Sequence, residues 1–417
     1  MFNKFSCNNF RNVQVKNMEF ARINLLVGPN NSGKSNFIRA LSFCANMVAN
    51  DNGGGPGFIS EVQRNGWKNI LNRDAVTPQI DLNWEIELPD KRVAYDFSFS
   101  VGDTTEEYKI LNESLDSADI DSHYEKPFNY FRCHDKSPGK GMFSVAIRRG
   151  EVNKRIHVPV EQNESVFLQF ENLLISNPQL YTTYVRKNII QILQEMRGFF
   201  ERFYAYSCSS FDLDDIRQLR APEEDAKRLS KNGANFTNVY RNLCIIDEGF
   251  RARYLNKLKM LMPDLDNIRT IEGLGKVGTV LTLSGKDYML SEVSDGTVKA
   301  LLLTLLLSLP KDNGPSMLAI DEPEVNLHIA WQKLLAKWIQ TTGSFEQCFI
   351  STHSPDFLDE FTEEFLHENV NVFTYNPFSE NKIRKVKVEE LRDILGKGWM
   401  LGDLYRTNDP SIGGWPW

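Results

Sequence analysis

Residues 28–35 read GPNNSGKS, a stretch that limits the possible folds more than any other in the chain. It fits G-x-x-x-x-G-K-[ST], and its flanks fit too. Ile23-Asn24-Leu25-Leu26-Val27 reads as a strand buried on both faces, and Asn36–Val48 carries apolar residues at helical spacing. Gly28 and Gly33 allow the backbone to curl until its N–H groups converge on phosphate oxygens. Lys34 brings a cation to the β- and γ-phosphates, the Ser35 hydroxyl can ligate Mg2+, and the helix N-terminus adds its partial positive charge. A chance match is the competing reading; the strand before and the helix after decide for phosphate binding.

Two later stretches repeat the logic of an apolar strand ending in polar groups. In SMLAIDEPEVNLH (316–328) the strand delivers Asp321 and Glu322 at its C-terminal end, where ligands sit in nucleotide-binding α/β sheets. Asp321 is suited to holding Mg2+, directly or through water, and Glu322 to orienting or deprotonating an attacking water. Two adjacent carboxylates alone would read as a solvated loop; the buried strand and the upstream phosphate loop favour function. In FISTHSP (349–355) the next strand brings His353 beside those carboxylates, as a γ-phosphate contact. A fourth stretch, VSDGTVKALLLTLLL (293–307), has an apolar run far short of the ~20 residues a spanning helix needs, so it reads as a buried core helix.

The remaining sequence sets bounds. At 417 residues the chain predicts two or three lobes, and 41% hydrophobic with 25% charged residues is ordinary for a soluble globular protein. The net charge of -7 excludes a basic nucleic-acid binder overall while leaving room for a local basic groove. None of the six cysteines forms a CxxC pair, which argues against zinc and fits a reducing cytosol; the start lacks a signal peptide's apolar stretch. Ile80, Leu82, Trp84 and Ile86 predict one face of a strand, and 139–159 predicts more strand. Ile189, Leu193, Met196, Phe200 and Phe203 form a helical stripe, read as core; 212–232 reads as a charged, partly exposed connection; Asp264-Leu265-Asp266 reads as a loop after Pro263.

GPNNSGKS, VSDGT, AIDEPE and STHSP, in that order, resemble the ABC-type ATPase heads of the SMC, RecF and OLD-nuclease group. The resemblance is strongest to stand-alone, OLD-like AAA-family ATPases of bacterial anti-phage defence systems. FARINLLVGPNNSGKSNFIRAL (20–41), GANFTNVYRNL (233–243) and GDLYRTNDPSIGGWPW (402–417) extend it. It implies an α/β fold: a P-loop head with a mixed or parallel sheet, flanking helices and an antiparallel β-subdomain, carrying a β/helical insertion. The expected division is 1–100 for the N-terminal ATPase lobe, 101–205 for the insertion, 206–375 for the C-terminal lobe and 376–417 for a tail.

The resemblance also implies roles. Gly28, Asn30, Asn31, Ser32, Gly33, Lys34 and Ser35 belong to the Walker A loop. Asp321 and Glu322 form Walker B, with Glu322 the catalytic carboxylate; Val325–His328 fall at the D-loop, and His353 is the switch histidine. Ser294, Asp295 and Gly296 lie in the signature, and Arg11 contacts nucleotide. Three departures stand out: Asp295 replaces a frequent glycine, His328 stands where transporters often have aspartate, and only Gln63 and Gln79 offer themselves as a Q-loop glutamine. The implied ligands are ATP and Mg2+, and the implied assembly is a homodimer, or a higher even oligomer, sandwiching two ATP molecules.

Only about 60 residues follow His353, too few for the Toprim domain of OLD nucleases. The expectation is therefore a cytoplasmic ATPase without intrinsic nuclease activity, regulating a separate effector nuclease or toxin, with no membrane partner. DNA is a candidate partner through Lys136, Lys140, Arg148, Arg149, Lys154 and Arg155, or through Arg251, Arg253, Lys257 and Lys259; charge runs of this kind are usually solvated faces. The alternatives are a RecF/SMC-like DNA-repair ATPase and, less favoured, a transporter ATPase subunit.

Overall fold

The computed structural model describes residues 1–30, 32–49, 57–102, 108–120, 125–137, 140–148, 154–310, 314–375 and 382–413. The chain divides into two compact units: Met1–Ala21 with Asn31–Phe203 and Tyr375–Lys385, and Arg22–Asn30 with Tyr204–Thr374 and Val386–Trp417.

The first unit is built on an eight-stranded antiparallel sheet. Its strands run Val13–Glu19, Phe2–Phe10, Gln79–Glu87, Arg92–Val101, Tyr108–Ser117, Asn129–Ser137, Lys140–Arg148 and Lys154–Val160 in spatial order. Strict alternation makes Gln79–Glu87 a strand with one buried face, from which Ile80, Leu82, Trp84 and Ile86 enter the core. Trp84 stacks on Tyr95 of the neighbouring strand, and Phe200 meets it edge-on. Phe200 belongs to the helix Gln191–Glu201, so the predicted stripe of Ile189, Leu193, Met196 and Phe200 is core packing. Phe203 is buried as well but is not helical. The helix ends at Glu201, and Phe203 opens the strand Phe203–Ser207, whose three aromatic residues suit a pleated surface. The sheet also crosses residue 100 unbroken, because Arg92–Val101 pairs along its length with Tyr108–Ser117. Residues assigned by sequence to a lobe and an insertion therefore share one sheet.

The second unit carries a parallel core. Its strands lie in the order Phe203–Ser207, Met317–Asp321, Gln347–Thr352, Ile23–Val27, Val370–Tyr375, and the last four are mutually parallel. Every residue of Ile23–Val27 and Gln347–Thr352 is buried, as expected for strands covered on both faces. A three-stranded antiparallel sheet, Leu265–Gly273, Lys276–Leu283 and Lys286–Met289, accompanies it. The strand at Leu265 takes in half of the predicted Asp-x-Asp loop: Asp266 is a strand residue whose carboxylate accepts from Gly285 N–H at 2.7 Å. The leucine run becomes the helix Asp295–Leu306, buried from Val298 onward. No helix among the described residues is long and apolar enough to cross a membrane. All six cysteines are free thiols.

Candidate functional site

Parallel pairing places Asp321 directly beside Ser351 at the C-terminal ends of adjacent strands. The Ser351 hydroxyl donates to Asp321 Oδ1. The next residue, Glu322, has φ +53°, a left-handed conformation uncommon for a non-glycine residue. Its N–H donates to the Ser351 carbonyl and to the Ser351 hydroxyl, each at 3.1 Å, and these bonds hold the turn. Strain of this kind persists where surrounding contacts over-determine it, and it concentrates at functional sites.

His353 follows the adjacent strand, with Nδ1 3.6 Å from Glu322 Oε1 and 3.4 Å from Glu324 Oε1. The structure thus brings Asp321, Glu322 and His353 together within one unit. It adds Glu324, which sequence reading passed over. Glu324 is buried; its Oε1 accepts from the Thr352 hydroxyl and from the His353 N–H, both at 2.8 Å, and its Oε2 has no hydrogen-bond partner. Burial holds this carboxyl above the usual range, and the hydrogen bonds from His353 N–H and Thr352 pull the other way. Gln332 closes the loop from behind, accepting from Ser354 Oγ at 2.6 Å and donating to the Leu327 carbonyl at 2.9 Å. Glu324→Ala removes the shared acceptor of Thr352 and His353. Its expected effect is a loss of roughly 10–100-fold in kcat for ATP, with binding little changed, because small misplacements carry penalties of that size. Glu324→Gln keeps an acceptor oxygen and should retain more activity. Steady-state ATPase assays beside nucleotide titrations check this; unchanged turnover in Glu324→Ala would refute it.

Ser294 caps the helix Asp295–Leu306, its Oγ accepting from Thr297 N–H at 3.2 Å. Gly296 has a steric reason to be glycine: a Cβ there would lie 2.9 Å from the Asn326 carbonyl oxygen. One turn on, the buried Lys299 reaches the Val325 carbonyl at 3.4 Å. The start of the helix is therefore packed on the 322–328 loop. Asp295 is paired with Arg217 at 2.7 Å. Arg217 was not expected to matter, since it lies in the stretch read as an exposed connection. His328 caps the helix Ile329–Thr341, its Nδ1 accepting from Ala330 N–H at 3.2 Å.

The GPNNSGKS stretch follows the strand that ends at Val27 and precedes the helix Lys34–Val48. Gly28 is buried and Asn30 exposed, while Asn31 lies outside the described residues. Gly33 caps the helix at φ +101°, a left-handed conformation that favours glycine, and a Cβ there would meet the far end of the Asn12 side chain at 2.9 Å. Ser32 and Lys34 are buried, and Ser35 is half-buried. Within the first unit, Arg11 lines a cavity of about 400 Å3 with Asn12, Asn36, Asn69, Asn72 and Arg73. Burial lowers the Arg11 guanidinium's pKa. Gln63 is exposed on the helix Phe58–Asn65, and Gln79 donates to Asp81 at 2.6 Å. The hydroxyl and carboxylate oxygens of Ser35 and Asp321 are hard donors of the kind Mg2+ takes.

Much of the expected basic surface is engaged internally. Arg155 binds Ser144 and Asn129, Arg251 binds the Ile268 carbonyl and Asn267, Arg253 pairs with Asp247, and Lys257 Nζ donates to the Leu307 carbonyl. Arg149 and the side chains of Lys136 and Lys140 lie outside what is described.

Comparison with known proteins bears on the family and the fold. A family model described as "AAA domain, putative AbiEii toxin, Type IV TA system" matches residues 23–359. Endonuclease GajA of Bacillus cereus (strain VD045) is 20% identical over 370 residues, covering 86% of this chain and 56% of GajA, so the chain spans little more than half that relative's length. An Smc head bound to the C-winged helix domain of ScpA superposes with a TM-score of 0.51 at 12% identity, covering 94% of this chain and 99% of that one. An Smc head with an extended coiled coil, bound to the C-terminal domain of ScpA derived from Pyrococcus furiosus, gives 0.48 at 11% identity, covering 95% and 98%. The first of these likenesses shows the fold, an α/β ATPase head of the SMC type, as the order of motifs led us to expect.

Proposed function

The chain belongs to the AAA domain family described as putative AbiEii toxin, Type IV TA system, among the ABC-type ATPases of the SMC and OLD kind, and from that premise we propose that it binds and hydrolyses ATP as a homodimer that governs a separate effector. The observation that carries the hydrolysis reading is the convergence of Asp321, Glu322 and His353 at parallel strand ends within one unit. Asp321 and Ser35 would hold Mg2+, which when bound screens charge on the phosphates. Glu322 takes the proton of the attacking water, His353 contacts the γ-phosphate, and Lys34 neutralises phosphate charge. Gly28, Asn30, Asn31, Ser32 and Gly33 supply backbone N–H groups, and Arg11 a further nucleotide contact.

The dimer reading rests on a signature and a Walker pair in one chain. The signature's helix N-terminus is set on the same 322–328 loop that follows the catalytic carboxylate. In an ABC-type sandwich that N-terminus serves the ATP of the other subunit, so one loop can report hydrolysis to both sites. Assignment to anti-phage defence, with a nuclease or toxin as effector in the cytoplasm, rests on the resemblance of the motifs. DNA is kept as a candidate partner, with the internal use of Arg155, Arg251, Arg253 and Lys257 weighing against those patches.

The match covers 56% of GajA, so the endonuclease activity in that relative's name is said of GajA and is not carried over to this chain. The test is direct. Purified protein with Mg2+ is expected to release phosphate from ATP and to leave plasmid and linear DNA intact. Metal-dependent cleavage by the pure protein would overturn the separate-effector arm, and absence of ATP turnover would overturn the whole reading.

A further inference from the structure

Asp295 sits in the first turn of the signature helix with its side chain 57% exposed. On the dimer reading, which this inference presupposes, that turn faces the triphosphate held by the second subunit. A carboxylate is a poor group to bring there, because it repels the phosphates and uses up the helix's own positive end. The structure holds a compensating charge. Arg217 comes from a segment 78 residues earlier in the chain and is only 16% exposed. Its Nη2 contacts Asp295 Oδ1 at 2.7 Å and the Val293 carbonyl at 3.0 Å, and its Nε donates to the Leu290 carbonyl at 3.1 Å. The other charged groups nearby are mostly acidic. Asp214 is 3.8 Å from Arg217 Nη1, and Glu292 accepts from Met289 N–H within the same loop. Lys299 is buried and turned to the Val325 carbonyl.

We propose that Arg217 is a positioning residue of the ATP sandwich: held by two carbonyls of the 290–295 loop, it neutralises Asp295, so that an acidic signature can approach a partner-bound triphosphate. The three contacts divide the work. The two carbonyls anchor the guanidinium, and the carboxylate receives its charge. Removing Arg217 leaves an uncompensated anion at the interface; removing both members of the pair leaves none.

This predicts a pattern that loss of a loop brace does not produce. The measurement is the dimer dissociation constant by analytical ultracentrifugation with Mg2+ and a non-hydrolysable ATP analogue, at low and high salt. Arg217→Gln is expected to weaken dimerisation at least tenfold, and more at low ionic strength. Arg217→Lys and Asp295→Asn should each stay within about threefold of wild type, and Arg217→Gln combined with Asp295→Asn should return to the level of Asp295→Asn alone. A double variant as weak as Arg217→Gln, or an Arg217→Gln protein that dimerises normally, overturns the inference. Circular dichroism on each variant separates these outcomes from misfolding, and Arg217→Lys keeps the test open if Arg217→Gln does not fold. A wild-type protein that stays monomeric with the analogue would instead sink the dimer reading on which the inference stands.

Discussion

Glu322→Gln is expected to lower the ATPase turnover number by roughly 10²–10⁴-fold while ATP binding stays within a few fold. The argument is one of charge and geometry. During hydrolysis water gives up a proton as its oxygen bonds to the γ-phosphorus and the bridging bond to ADP breaks; a carboxylate can take that proton and a carboxamide cannot. Glutamine keeps the size of the side chain and leaves the two bonds from the residue 322 N–H to Ser351 in place, so the turn at φ +53° should survive. Binding and chemistry thus separate. The variant should also accumulate the ATP-bound dimer, visible as a shift in sedimentation on adding ATP that wild type shows only with the analogue. Turnover within tenfold of wild type would remove Glu322 from its assigned role and point instead to Glu324, the second carboxylate beside His353.

What could be read from sequence follows from how each feature is encoded. The strand Ile23–Val27 and the helix after it were legible because a continuous apolar run and a helical stripe are local patterns. The first strand, Phe2–Phe10, was not. Its register shifts between Phe5 and Cys7 and again between Cys7 and Phe10, so its buried residues do not keep the spacing of two that betrays a strand. Phe203 misled for the opposite reason, extending a helical stripe by one coincidental step after the helix had ended. At the candidate site, Asp321, Glu322 and His353 announce themselves as polar residues closing apolar strands. Arg217 could not, since its partners are two backbone carbonyls and a carboxylate more than 70 residues away. Glu324 looks in sequence like one more acid in a polar loop; only tertiary burial against Thr352 and His353 makes it distinctive.

The largest stability effect is expected far from that site, in the first unit. Glu113 is fully buried on the strand Tyr108–Ser117. It accepts from the Tyr95 hydroxyl, from Val166 N–H at 2.7 Å and from Phe167 N–H at 3.1 Å, the last two being the opening N–H groups of the helix Val166–Ser176. Glu113→Ala strands all three donors and leaves a cavity, for an expected loss of about 3–5 kcal/mol and a fall in Tm of roughly 10 °C. The same carboxyl gives stability a pH dependence of defined sign. Burial lifts its pKa from 4.5 to about 7, with the hydrogen bonds opposing. Between those values the folded protein holds a proton that the unfolded chain has released. The contribution of Glu113 is therefore fully present below pH 4.5 and is lost as pH rises through about 7, a change of about 3 kcal/mol. Other groups titrate as well, so the quantity to measure is the difference in Tm between wild type and Glu113→Gln from pH 4.5 to 8. Wild type should lose its advantage over the variant as pH rises; a difference that grows with pH would mean that Glu113 is held ionised rather than protonated by its helix.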